Sequence, residues 1–121
     1  MATGTIKQKS NNSGSGYCKM PDGTLICWVS YQITSSISIT SQWGGVYSTS
    51  NSIFFPNWPV QFIDIPMVAY GAQTDPYCWV HDAGSPSDSA KTAPVQIRLA
   101  RGTSGTITGG YLYAIGFGRW K

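Results

Sequence analysis

Charge is scarce in this chain, and glutamate is missing from it altogether. Asp, Lys and Arg make up 11% of 121 residues, where an ordinary soluble domain carries about 25% charged residues. A surface with so little charge suits a domain partly covered by other copies of itself. Lys and Leu are few, whereas Thr, Ile, Val, Tyr and Trp are plentiful, which favours strand over helix throughout. There is one histidine, His81, and no C-x-x-C spacing, which excludes the usual zinc sites. No EF-hand-like spacing of acidic residues occurs, and nothing calls for a cofactor. No apolar run is long enough to span a membrane, and no signal-peptide pattern opens the chain. The net charge of +3 comes without a dense Lys/Arg stripe, so a nucleic-acid footprint is absent. Three cysteines cannot all pair internally, and free thiols made in a reducing compartment are expected.

What is present is alternation. Tyr111, Tyr113, Ile115 and Phe117 interleave with Leu112, Ala114, Gly116 and Gly118, the period-two pattern of a strand with two fixed faces. That strand, residues 109–120, is expected to be held in a sheet. Met20-Pro-Asp-Gly-Thr24 predicts a tight hairpin, with Pro21 and Asp22 in a type I turn and Gly23 left-handed. This register sets Cys18 opposite Ile26 and Cys27 opposite Tyr17, on different faces, which disfavours a Cys18–Cys27 bridge. Further strands are expected at 16–20, 24–33, 36–40, 52–55, 60–62, 66–73, 77–81 and 95–101. Residues 1–15 read as a flexible linker or the end of a fibre shaft, 41–51 as a Gly/Ser-rich connection, and 82–93 as a loop. The whole predicts an all-β domain over 16–121, an antiparallel β-sandwich assembled as a homotrimer.

Three segments together carry a resemblance. Gly16, Pro21, Asp22, Gly23 and Trp28 stand at the spacing of an opening hairpin, G-x-x-x-x-P-[SD]-G-x-x-x-x-W. Trp58-Pro-Val-Gln-Phe-Ile-Asp-Ile-Pro-Met-Val68 fits a central P-x-x-F-x-x-x-P-x-V stretch. Tyr113-Ala-Ile-Gly-Phe-Gly-Arg-Trp-Lys121 fits a closing strand that often ends in an Ala-Ile-Gly-Arg-Trp-like sequence. In this order they resemble the C-terminal tip domains of bacteriophage tail fibres and receptor-binding proteins. The resemblance implies a sandwich similar to the H-type lectin fold and trimeric assembly behind an upstream fibre or baseplate segment. It also implies a place on the virion, synthesis in the bacterial host cytoplasm, and adhesion to a bacterial surface polysaccharide. Phe117-Gly118 stands as an insertion before Arg119-Trp120 in that pattern, and a bulge would absorb it.

Catalysis finds little support. Asp82 is adjacent to His81, and neighbours on a strand point to opposite faces. No Ser sits in a nucleophile elbow, and of the five aspartates Asp22 is taken by the turn and Asp64 by the Phe-Ile-Asp-Ile-Pro run, which leaves Asp75 and Asp82 open for glycoside hydrolysis. Sugar recognition fits better, since saccharide C–H faces pack on aromatic rings and hydroxyls pair with polar side chains. The aromatics near expected loops are Trp43, Tyr47, Trp58, Tyr70, Tyr77 and Trp79; Trp28 and Phe62 fall in regular patterns and read as core. The favoured ligand set is Tyr77, Trp79, His81, Asp82 and Arg101, around the 82–93 loop that Arg98 also flanks, with Trp43 and Tyr47 from the 41–51 connection. Core or trimer contact is the competing role for each aromatic. Three functions follow: a receptor-binding tip, a purely structural trimerising cap, and a cellular lectin that shares the chemistry without the terminal signature.

Overall fold

The computed structural model of the chain describes residues 6–8, 14–81, 84, 85 and 87–121. Ten strands form among the described residues: β1 (Ile6–Gln8), β2 (Ser15–Lys19), β3 (Thr24–Ile33), β4 (Ile37–Trp43), β5 (Val46–Thr49), β6 (Met67–Asp75), β7 (Trp79–His81), β8 (Arg98–Arg101), β9 (Gly105–Ile107) and β10 (Gly109–Arg119). They make two five-stranded antiparallel sheets, ordered β1-β2-β3-β10-β6 and β7-β8-β5-β4-β9. Among the described residues there is no α-helix; Asp88–Lys91 makes one 3-10 turn. None of the described helical structure is long and apolar enough to cross a membrane.

Alternation builds the core. On β3, Leu25, Cys27, Val29 and Ile33 turn inward; on β10, Leu112 and Ala114 do. The second sheet contributes Ile39, Leu99 and Ile107, and all of them join one buried cluster. Two sheets sharing one apolar interior are consistent with a β-sandwich. The long apolar segment 53–62 adds Ile53, Phe55, Trp58 and Phe62 to that interior. It does so without the strands expected at 52–55 and 60–62. Only an isolated bridge forms, with Ile53 and Ile97 exchanging N–H···O bonds of 2.7 and 3.0 Å. Pro56 and Pro59 lack the donors a ladder needs. The segment is tied instead by Trp58 and Phe62 N–H groups donating to the carbonyls of Thr92 and Lys91. Trp58, read as a loop aromatic, is buried, and its indole Nε1 donates to the Ala90 carbonyl at 2.9 Å.

The opening hairpin has the expected register: Cys18 opposes Ile26 and Tyr17 opposes Cys27. Met20 N–H donates to the Thr24 carbonyl, Thr24 N–H donates to Asp22 Oδ1 at 2.9 Å, and Gly23 takes φ 101°, a conformation that suits glycine. Cys18, Cys27 and Cys78 are free thiols. Ile6–Gln8 pairs with β2, so the sheet begins inside the stretch read as linker; residues 1–5 and 9–13 of that stretch lie outside the described residues.

Further expectations are corrected. The closing strand needs no bulge: its pairing with β3 runs unbroken from Gly110↔Ile33 to Arg119↔Thr24. Gly116 and Gly118 continue the inward row of Leu112 and Ala114, and their missing side chains leave room for the rings of Trp58 and Phe62. Trp28 is not core, because it alternates with the inward Cys27 and Val29 and pairs with Ile115 on the far side of the sheet. The 41–51 connection is mostly strand, since β4 continues to Trp43 and turns through Gly44-Gly45 into β5. The 95–101 strand begins as a ladder only at Arg98, and β9 was not anticipated at all.

Candidate functional site

The site rests on an irregularity in β4. Ile39 pairs with Thr49, but Ser41 pairs with Ser48, so Thr40 is an extra residue in the ladder. A bulge of this kind reverses the alternation beyond it. Ile39 is buried in the core, while Ser41 and Trp43 lie on the outer face of the second sheet. The Gly44-Gly45 turn, with Gly44 at φ 60°, closes the hairpin and pairs Trp43 with Val46.

On the opposite edge of this sheet β7 presents Trp79 and His81 on one side and Val80 toward the core. His81 pairs with Arg98, and Trp79 with the buried Ala100. The indole of Trp43 reaches over the sheet and stacks on the imidazole of His81, with ring centroids 5.1 Å apart and planes within 19°. Trp43 nevertheless remains 63% exposed. Ser41, Gln42, Trp43, Ser48, His81 and Arg98 line a groove of about 460 Å³. Both ring nitrogens of His81 are buried and have no hydrogen-bond partner among the described residues. Leaving a buried polar atom unsatisfied costs about 1–3 kcal/mol, which a ligand hydroxyl or a water entering the groove would recover. The lining therefore offers a flat apolar ring, two hydroxyls, one amide, one imidazole and one guanidinium. That donor-rich mixture suits a polyol. It contains no pair of carboxylates.

The sequence-derived set thus divides. Trp43, Trp79 and His81 share the outer face. Tyr47 faces the other way, packing against the core in register with Arg101. Arg101 Nε donates to the Tyr77 carbonyl at 3.0 Å, which draws its guanidinium to the strand edge. Tyr77 is 92% exposed and borders a separate hollow with Thr74, Cys78 and Gly110. Asp82 lies outside the described residues. Tyr70, another expected loop aromatic, packs on the core and donates its hydroxyl to the Val95 carbonyl. Ser41, Gln42 and Ser48 were missed: the bulge at Thr40 turns Ser41 outward and the β4–β5 hairpin sets it opposite Ser48, neither of which the 41–51 segment signals. A second groove, of about 600 Å³, was missed too; Tyr31, Ser38, Ser50, Asn51 and the exposed Phe54 line it.

Cys27 and Cys78 are not poised for chemistry. Burial pushes Cys27 up to about 11, against an ordinary 9.0. Burial also raises Cys78, although Thr74 and Arg101 act in the opposite sense. Among the described residues no group of three His, Cys, Asp or Glu side chains is placed to hold a metal ion. No protein family, curated protein or solved structure matches the chain.

Proposed function

We propose that this chain is the tip domain of a bacteriophage tail fibre or baseplate, that it assembles as a homotrimer, and that it adheres to a bacterial cell-surface glycan through the Trp43–His81 groove. The observation that carries the adhesion reading is the indole of Trp43, held flat on His81 beside Ser41, Gln42, Ser48 and Arg98. An indole fixed in orientation presents an apolar plate to the C–H face of a sugar ring, and the surrounding donors address its hydroxyls. The hairpin, central and closing motifs support the tail-fibre context by resemblance.

A shallow site of this size binds one sugar unit weakly, at about 1 mM or about −4 kcal/mol. Presenting three sites on one tip, and many tips on one particle, raises avidity by roughly 10²–10⁴ without better contacts. Assembly is then part of adhesion.

The test is Trp43→Ala and, separately, Trp79→Ala, assayed on an array of bacterial surface glycans and by adsorption to host cells, with light-scattering mass as a control. Loss of at least tenfold in binding with unchanged mass is the expected result. Unchanged binding by both variants, at unchanged mass, would replace the adhesin with a purely structural cap of the fibre.

A further inference from the structure

The second groove, of about 600 Å³, lies at the end of the β4–β5 hairpin remote from Trp43. Ile39 pairs with Thr49, so the chain entering β4 runs beside the chain leaving β5. Strand alternation sets the lining on the entering side. Ile37 packs on the core, and Ser36 and Ser38 on either side of it are exposed. On the leaving side Ser50 and Asn51 are exposed as well. Ile53 is buried and tied by two backbone bonds to Ile97, and Phe55 is buried beyond it. Phe54, between them, is turned outward and is 67% exposed. Tyr31, half-buried against the core from β3, also lines the groove.

We infer that this groove is a second saccharide site and that its ligand is an uncharged sugar. The ring of Phe54 offers an apolar plate to the C–H face of a pyranose, held in place by the anchored backbone of Ile53. The serine hydroxyls and the Asn51 amide both donate and accept, as sugar hydroxyls do. The volume lies within the about 300–1,000 Å³ of small-ligand sites. None of the described lining residues is charged. A carboxylate or phosphate entering the groove would lose hydration without meeting a cation, whereas neutral hydroxyls exchange water for Ser and Asn partners. The Trp43–His81 groove differs in this respect, since an imidazole and a guanidinium line it. The two grooves share no lining residue. Along β4, Ser38 and Trp43 are separated by about 16 Å at about 3.3 Å per residue, so one sugar ring cannot reach both. The second site therefore stands independently of the first, and it adds a weak contact to every chain of a multivalent particle.

The experiment is an amide-resolved NMR titration of the full chain. The probes are methyl glucoside, methyl galactoside, methyl mannoside and N-acetylglucosamine, with glucuronate as the charged counterpart. Each is taken to about 50 mM, well above the about 1 mM of a weak single site. At least one neutral probe should shift the Ser38, Ser50 and Asn51 amides saturably. Phe54→Ala should weaken that binding by about tenfold or more, and Trp43→Ala should leave it unchanged. No saturable shift at these amides with any neutral probe would overturn the site, as would shifts that survive Phe54→Ala in a folded protein. Glucuronate bound as tightly as methyl glucoside would overturn the uncharged class. Saturable shifts confined to the Ser41 and Ser48 amides would overturn the second site and leave the first, and shifts confined to Ser38, Ser50 and Asn51 would do the reverse. Phe54 is exposed, so the variant should fold. Should it not, Asn51→Trp, at another exposed position, fills the groove with bulk and should abolish the same shifts; shifts retained there would overturn the site.

Discussion

The indole Nε1 of Trp120 donates to the carbonyl of Met20 at 2.8 Å, joining positions 100 residues apart. Trp120 N–H donates to the Gly23 carbonyl at 2.9 Å, and the Arg119 guanidinium donates to the Asp22 carbonyl at 2.9 Å. The end of β10 therefore clasps the opening hairpin turn, and the ammonium groups of Lys19 and Lys121 lie about 5 Å from the Trp120 ring. Trp120→Phe keeps an aromatic plate but removes the donor, and should cost about 1 kcal/mol, the net worth of one hydrogen bond. Trp120→Ala also removes the packing and should cost about 2–3 kcal/mol. Urea unfolding midpoints measure both; equal effects would show that the ring packing contributes nothing, and an unchanged Trp120→Phe midpoint that the hydrogen bond contributes nothing.

Gly118 is enforced by Phe62. A Cβ at Gly118 would lie 2.7 Å from Phe62 Cδ1, and one at Gly116 would lie 3.0 Å from the Trp58 ring. Phe62 is fully buried and cannot swing away. Gly118→Ala should therefore destabilise by about 1–3 kcal/mol through overpacking. Phe62→Leu in the same chain should recover part of that loss. A Gly118→Ala protein that melts at the wild-type temperature would mean the ring relocates freely.

These two contacts show what the sequence could and could not reveal. Alternation from Tyr111 to Gly118 identified β10, and the Pro-Asp-Gly turn fixed the β2–β3 register to the residue, because local chemistry decides both. The insertion Phe117-Gly118 was read as a bulge, because nothing local shows Phe62 and Trp58 arriving from a distant part of the chain to occupy the glycine positions. Segment 53–62 was read as two strands from its apolar runs; prolines and tertiary packing made it an irregular plug instead. At the site, Trp79 and His81 were legible as an aromatic strand beside a long loop. Trp43 was grouped with them as a loop residue; that it reaches His81 from a strand was not legible, since this depends on one extra residue in β4 with no turn signal of its own.

Deleting Thr40 tests the β4–β5 pairing. With Thr40 removed, Ser41 follows Ile39 directly and the ladder runs regularly from Ile39 opposite Thr49 to Ser41 opposite Ser48, so Ser41 and Trp43 keep the outer face. The deletion should therefore leave glycan binding and the thermal melt nearly unchanged, and Thr40→Ala should do the same. Glycan-array signal and thermal melts read both effects, and binding lost from a deletion variant of wild-type stability would mean that the bulge itself shapes the groove.

Acid stability should depend on the hairpin turn. The Thr24 N–H bond, with Arg119 adding attraction, holds the Asp22 carboxyl below its ordinary 3.8. A native value below the unfolded one means the contribution is present above 3.8 and is lost as pH falls through the native value. Asp22→Asn retains an oxygen acceptor but does not titrate. Between about pH 5 and about pH 2.5 the wild type should lose more melting temperature than the variant, and parallel profiles would assign acid sensitivity elsewhere.

The alkaline limb should carry the signature of Cys27. Its Sγ donates to the Val60 carbonyl at 3.5 Å in an interior position, and burial raises it to about 11 against 9.0 unfolded. The native state thus holds its proton where the unfolded state has released it. Stability from this group is complete below 9.0 and drains away as pH rises through about 11, the opposite sense to Asp22. Cys27→Ala should be less stable at neutral pH by about 1 kcal/mol for the lost sulfur packing, yet show a shallower decline above pH 9. At pH 8 the wild-type Cys27 should resist alkylation until the protein unfolds, since only a thiolate reacts and this thiol is both buried and protonated. Rapid modification of Cys27 in the folded protein would mean that the inner face of β3 opens to solvent, and with it the shared core on which both sheets depend.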